Sequence, residues 1–220
     1  MEPSHILTIQ LASALAGLEE NSVESVLEKC IENDIPPLTI IDGLSKGMEE
    51  VGNLYRQGEY YLSELVYSGD IFNKAMGRVK PLIPKGAAGV RSSGMVVMGT
   101  VKNDVHDLGK NIVVTMLECS GFTVHDVGVD AEPEKFVEAL KRSGARLVGM
   151  SVLLTTAFGS LQSTIDAVKE AGLGERVKTV IGGAVVNEDI RKKMGADYFG
   201  ADAIQAVDIA RKVYSEVSEK

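Results

Sequence analysis

Two hydrophobic rhythms divide the chain. Up to about residue 80 the apolar positions recur at helical spacing. Val23, Val26, Leu27, Cys30 and Ile31 fall at i, i+3, i+4, i+7 and i+8, one face of an amphipathic helix. Asn21 with Glu24 three residues on has the form of a capping box and predicts the start of that helix. Pro36-Pro37 suits the first turn of the next, because the N–H that proline lacks has no partner there. This third helix carries Leu38, Ile41, Leu44, Met48 and Val51 on one side, and Gly58 is its predicted stop. A fourth carries Tyr61, Leu62, Leu65, Val66, Phe72, Met76 and Val79. With a short helix from about Ile6 to Leu18, the pattern predicts a four-helix bundle over residues 1–80. From Pro81 to Ser93 the composition turns to Pro, Gly, Ala and Ser, which reads as an interdomain linker over 81–93.

From residue 94 to 220 the rhythm becomes strand, loop, helix. Met95–Met98, Thr123–Val127, Leu147–Ser151, Thr179–Ile181 and Tyr198–Phe199 are short strand candidates. Helical stretches lie between and after them, near Gly109–Ser120, Pro133–Ser143, Thr156–Ala171, Glu188–Met194 and Ala203–Val217. Five such alternations imply a doubly wound parallel sheet with helices on both faces. The first, third and fourth strands are the most continuously apolar and are predicted to be central. The second and fifth are more polar, as edges are. That agrees with the flavodoxin-like (Rossmann-like) order 2-1-3-4-5, whose ligand crevice lies at the carboxyl ends of strands one and three.

Charge and cysteine usage narrow the classes. The chain has 8 basic against 13 acidic residues before Ser93 and 15 against 18 from there on, so neither part offers the basic stripe of a nucleic-acid reader. Cys30 and Cys119 sit in helical apolar patterns without a C-x-x-C partner, which predicts buried thiols rather than a metal site or a disulfide. The first residues show no signal-peptide pattern and no apolar run approaches the ~20 residues that span a bilayer, so the expected setting is the cytoplasm, away from membranes.

Candidate chemistry follows the strand ends. Asp104, His106 and Gly109 form D-x-H-x-x-G after the first strand. Ser151-Val-Leu153 follows Gly109 after 41 intervening residues, at the end of the third strand, and Gly182-Gly183 follows Leu153 after 28 more, after the fourth. A loop histidine with an aspartate two residues before it suits metal ligation: one ring nitrogen coordinates while the other donates to the carboxylate. With three histidines and no clustered ligand spacing, a protein-only metal site is disfavoured.

The set D-x-H-x-x-G, S-x-L, G-G resembles the cobalamin-binding domain of the corrinoid methyltransferase proteins, including the cobalamin-binding module of methionine synthase and the methylamine and methanol corrinoid proteins. The resemblance covers nearly the whole chain: helical cap domain, linker, then a cobalamin-binding α/β domain. It implies that His106, oriented by Asp104, binds cobalt on the lower corrin face and displaces the cofactor's own base. Gly109 would open the following helix. Ser151 and Thr155 would offer hydroxyls to the nucleotide tail, Leu153 an apolar wall, and Gly182 and Gly183 room. By the same resemblance Met48-Glu-Glu-Val-Gly52 and Gly58–Leu65 are similar to the cap region, and Tyr61 and Leu65 would shield the upper face. In some relatives a hydroxyl residue six places after the S-x-L serine extends the His–Asp relay; here that place is Ala157, with Thr156 beside it.

The implied function is a non-catalytic methyl-carrying subunit. Its cofactor would be cobalamin, cycling between cob(I)alamin and methylcobalamin, or a related corrinoid. Its partners would be a donor-specific methyltransferase, an acceptor methyltransferase of the tetrahydrofolate or coenzyme M type, and a corrinoid-reducing activase. Because cap and partners need the same cobalt face, the bundle would have to swing away. A cobalamin-dependent sensor would usually add a DNA-binding segment, and the small subunit of a cobalamin-dependent mutase would need no cap; neither fits the sequence as well. The methyl donor is not written in it.

Overall fold

The computed structural model describes residues 3–83 and 93–218. The chain divides into two compact units, one of helices and one built on a parallel sheet. Most of the predicted linker, residues 84–92, lies outside the described residues.

The helical unit runs Pro3–Ala16 (α1), Glu20–Glu32 (α2), Pro37–Gln57 (α3) and Leu62–Val79 (α4), with a 3-10 turn at Lys80–Leu82. Pro37 occupies the first turn of α3. Gly58 ends that helix at φ 76°, a left-handed cap whose amide reaches the Leu54 and Tyr55 carbonyls. The start of α2 differs from the predicted capping box. Leu18 takes φ 57° and turns the chain earlier, so Glu19 caps the helix and Ser22 Oγ donates to Glu19 Oε2 at 2.8 Å. A reach-back bond of the predicted kind forms instead at α4, where the Tyr61 amide donates to Glu64 Oε2 at 2.9 Å.

The buried face of α3 is also rotated from the one predicted. It runs Ile40, Gly43, Leu44, Gly47, Met48, Val51 and Gly52, and leaves Leu38 exposed. The two glycines explain why. A Cβ on Gly47 would stand 2.8 Å from the Ala12 carbonyl oxygen and 2.9 Å from Leu15 Cβ, so α1 lies against bare backbone. In α4 the core is Leu65, Ile71, Phe72, Ala75 and Val79, whereas Tyr61, Leu62 and Val66 are exposed.

The second unit alternates β1 (Met95–Thr100), α5 (Leu108–Cys119), β2 (Thr123–Asp126), α6 (Pro133–Ser143), β3 (Leu147–Ser151), α7 (Phe158–Glu170), β4 (Lys178–Gly182), α8 (Glu188–Met194), β5 (Tyr198–Gly200) and α9 (Ala203–Ser218). The strands form one parallel sheet in the order β2-β1-β3-β4-β5, as expected. Strands β1, β3 and β4 are almost wholly buried, while β2 and β5 form the more polar edges. Valines 97, 148 and 168, Phe136, Leu140, Leu161, Ile165 and Ile181 join one continuous core cluster. Apolar burial of this extent is the main stabilising term.

Two polar devices fix the amino ends of the strands. The Tyr214 hydroxyl on α9 donates to the Met95 carbonyl and accepts from the Arg146 amide at 2.9 Å, and its ring fills the place of a Gly94 side chain. Asp197, just before β5, accepts from the amide and hydroxyl of Thr179, each at 2.9 Å, and from Lys178 Nζ at 3.1 Å. The carboxyl ends of the same strands are left to the loops.

Candidate functional site

The register brings the predicted motifs together. Thr100 at the end of β1 pairs with Ser151 of β3, and Ser151 pairs with Gly182 of β4. The loops that follow therefore leave the sheet side by side at its carboxyl edge, where an open α/β sheet holds its ligands.

Asp104 is the hub. It is 1% exposed, yet both carboxylate oxygens are used. Oδ1 accepts from the His106 amide at 3.0 Å and lies 2.7 Å from His106 Nδ1. Oδ2 accepts from the amides of Leu153 and Leu154 at 2.6 and 3.1 Å. One buried carboxylate thus ties the histidine loop to the loop after β3. Burial pushes the Asp104 carboxyl up, but the bonds from His106 and from the two leucine amides outweigh it and hold the group below the ordinary carboxylate range. An ionised Asp104 accepts only, so His106 Nδ1 must carry the proton. The Nε2 lone pair is then directed away from the carboxylate, on a ring whose side chain is 49% exposed. Among the described residues Nε2 has no hydrogen-bond partner. That is the arrangement of an imidazole prepared to coordinate a metal.

Several exposed apolar residues stand near this imidazole in the chain or on the loop tied to Asp104. Val105 precedes it in the chain, Leu108 follows beyond the exposed Asp107, and the amides of Leu153 and Leu154 are tied to the same Asp104; these four apolar residues are all exposed. Solvent-facing leucine and valine side chains around a metal-ready nitrogen suit a flat, largely apolar ligand. No group of three or more His, Cys, Asp or Glu able to hold a metal ion by themselves occurs among the described residues. One imidazole inside an apolar rim fits an ion that arrives within its own macrocycle.

The remaining predicted residues divide. Ser151 is half-buried and its hydroxyl makes no hydrogen bond among the described residues; Thr155 is exposed in the short turn Thr155–Ala157. Gly183 has a reason beyond leaving room. It takes φ 128°, and a Cβ there would run into the Val152 carbonyl, because β4 and the β3 loop cross at bare backbone. A Cβ on Gly182 would lie 3.1 Å from the Gly200 carbonyl. Gly109 is in the first turn of α5 with open space around it. The relay question raised by Ala157 has a plain answer: Ala157 is buried, and Asp104 Oδ2 is occupied by two backbone amides, with no bond from Thr156. In the helical unit Leu65 is locked in the core, 1% exposed, while Tyr61 caps α4 with its ring 69% exposed.

Several supporting residues escaped the sequence reading. Thr100 is fully buried, and its hydroxyl donates to the His106 carbonyl at 2.9 Å. Lys110, 3% exposed in the first turn of α5, donates to Asp126 and, at 2.7 Å, to Asn111 Oδ1. Asp126, at the end of the edge strand β2, thus partners a buried cation and accepts the Gly128 amide at 2.9 Å. A lysine in the first turn of a helix opposes the helix dipole, and that was the available signal.

Comparison with known proteins agrees with this geometry. Residues 94–208 match the B12 binding domain model, and residues 9–80 match a second B12 binding domain model. The dimethylamine corrinoid protein of Methanosarcina barkeri is 38% identical over 205 residues, 93% of this chain and 95% of that one. The chain belongs to the corrinoid proteins of methyltransferase systems. Among solved structures, a cobalamin-binding protein from Desulfitobacterium hafniense DCB-2 has a TM-score of 0.76 at 34% identity, covering 93% of this chain and 97% of that one. The methanol:cobalamin methyltransferase complex MtaBC from Methanosarcina barkeri has a TM-score of 0.84 at 28% identity, covering 97% of this chain and 81% of its own. The corrinoid protein therefore shares both its helical and its α/β architecture with this family. No described helix is long and apolar enough to cross a membrane.

Proposed function

We propose that this corrinoid protein carries a methyl group between two partner enzymes, taking it from a small methylated donor through a donor-specific methyltransferase and giving it up to an acceptor methyltransferase. A bound corrinoid supplies a cobalt centre able to gain and lose the methyl group. The chain's own residues do the rest. His106 would offer Nε2 to the cobalt, with Asp104 fixing the tautomer and plane of the ring. The exposed Val105, Leu108, Leu153 and Leu154 would give the corrin an apolar surface, and Ser151 and Thr155 would offer hydroxyls to its nucleotide tail. Within the helical unit, Tyr61 and the neighbouring Leu62 and Val66 are exposed, and Leu65 supports that helix from within the bundle.

The observation that carries this reading is the buried Asp104 holding His106 Nδ1 and leaving Nε2 unpartnered in an apolar rim. The dimethylamine and trimethylamine corrinoid proteins among the relatives make methylated amines the first donors to test; tetrahydrofolate and coenzyme M are the acceptors to test with them. A corrinoid-reducing activase would restore cofactor that has lost its reduced state.

The test begins with absorption spectra after reconstitution with hydroxocobalamin. The unsubstituted protein is expected to give a histidine-ligated spectrum that His106→Ala abolishes. Equal spectra for the two would overturn the assignment of the ligand. Methylation of the reconstituted, reduced protein by a methylated amine and its donor methyltransferase would then identify the carrier role. An adenosyl cofactor bound in preference would point instead to the sensor or mutase class.

A further inference from the structure

The loop that presents His106 is held on its outer side by a residue of a different loop. β1 runs on to a single parallel bridge between Val101 and Ala131. Beyond it Asn103 takes φ 67° and, across from it, Asp130 takes φ 48°. Asn and Asp enter the left-handed region more readily than other non-glycine residues, and here bonds from the surroundings fix both in it. Asp130 does the holding with three bonds. Its Oδ1 accepts the Asn103 amide at 2.8 Å, its Oδ2 accepts Lys102 Nζ at 3.1 Å, and its own amide donates to the Asp104 carbonyl at 2.9 Å. Lys102 is shared with Glu132 at 3.2 Å, and Asn103 Nδ2 donates to Ser160 Oγ at 3.0 Å. Lys102, Asn103 and Asp104, three consecutive residues just ahead of His106, are therefore fastened from the β2–α6 loop.

We infer that Asp130 is a positioning residue for the axial ligand: its carboxylate sets the Lys102–Asp104 backbone so that Asp104, and through it the His106 ring, is aimed before the corrinoid arrives. This rests on His106 being the cobalt ligand. Asp130 itself touches neither the ring nor the ligand. Its contribution is pre-organisation, so its loss is felt in how completely the imidazole engages and much less in whether the domain folds. The clamp was invisible in the sequence, because Asp130 lies 24 residues beyond His106 in an otherwise ordinary Gly-Val-Asp-Ala turn.

The test uses the full chain and hydroxocobalamin. Asp130→Gly keeps the left-handed backbone and the amide donor while removing the carboxylate; Asp130→Asn keeps the backbone, the amide and an acceptor for Asn103. Loss of a hydrogen bond to a charged acceptor predicts that Asp130→Gly lowers the ratio of histidine-ligated to unligated spectrum, and the apparent affinity, about tenfold, and that Asp130→Asn restores most of it. In a His106→Ala background, Asp130→Gly is expected to change hydroxocobalamin affinity less than about twofold, since no ring remains to be aimed. An equal loss in both backgrounds would make Asp130 a merely structural residue and overturn the inference. An Asp130→Gly spectrum and affinity identical to the parent's would do the same. If His106→Ala alone leaves the spectrum unchanged, the ligand assignment itself has failed, which is a separate and earlier result.

Discussion

Replacing Asp104 by Asn changes one atom and two hydrogen-bonding directions. The buried carboxylate accepts on both sides, from His106 on one and from the Leu153 and Leu154 amides on the other. An amide can accept on one side only. With its oxygen toward the two leucine amides, its NH2 meets the His106 amide and ring. The ring can answer only by placing its proton on Nε2, which removes the lone pair needed for coordination. With its oxygen toward His106, the NH2 meets two backbone donors that have no other partner. The first orientation is the cheaper, because it strands one backbone donor, the His106 amide, where the second strands two, and the ring can change tautomer. The apo domain is then expected to lose about 2 kcal/mol, the order of one charge-assisted bond in a buried site. Ligation is expected to fall about 10- to 100-fold, as for other residues that orient a metal-bound imidazole. Urea unfolding of the apo protein measures the first quantity, and hydroxocobalamin titration followed by absorption measures the second. An Asp104→Asn protein that titrates to the full histidine-ligated spectrum with unchanged affinity would refute the tautomer argument, whatever its stability.

Other consequences are sharper on stability. Gly183→Ala adds a Cβ at φ 128° against the Val152 carbonyl and is expected to cost about 2 kcal/mol or more, or to prevent folding of the α/β unit, as judged by circular dichroism and urea titration. Lys110→Met leaves Asp126 without its buried cation and is expected to cost about 2–3 kcal/mol; a Lys110→Met, Asp126→Ala double variant that recovers none of it would contradict the pairing. Leu65→Ala is expected to cost about 2–4 kcal/mol in urea unfolding, whereas Tyr61→Ala leaves stability unchanged, since the one side chain is core and the other exposed. Asp197→Ala probes pH. Burial pushes the Asp197 carboxyl up, but Thr179 and Lys178 overcome this and hold it below its ordinary value. A lowered carboxyl stabilises the fold above the unfolded value of about 4 and loses that effect as pH falls through the folded value. The gap between parent and Asp197→Ala is therefore expected to be full at neutral pH and to close below about pH 4; a gap that stays constant to pH 2 would exclude the charge as its source.

The sequence by itself determined the order of elements, the strand order and the residues that meet at the carboxyl edge. Continuous apolar runs at Met95, Leu147 and Thr179 between helical periods admit essentially one doubly wound arrangement, and the motifs follow those runs directly. Periodicity also placed Pro37 and Gly58 correctly, because local backbone chemistry decides helix ends of that kind. Where two segments far apart in the chain choose the outcome, periodicity failed. The buried face of α3 was set by the approach of α1 to Gly43 and Gly47, since a glycine counts as neither apolar nor polar until a neighbour lies against it. The start of α2 was set by Leu18 turning the chain before the predicted cap. At the site, the sequence named His106 and Asp104. Only the tertiary structure showed that Leu153 and Leu154 amides, rather than a side chain at position 157, complete the carboxylate, and that Thr100, Lys110, Asp126 and Asp130 hold the loop. A side chain's chemistry can be read from its letter and spacing, but a hydrogen bond depends on where two remote backbones come to rest, and that is settled by the packing of the whole sheet.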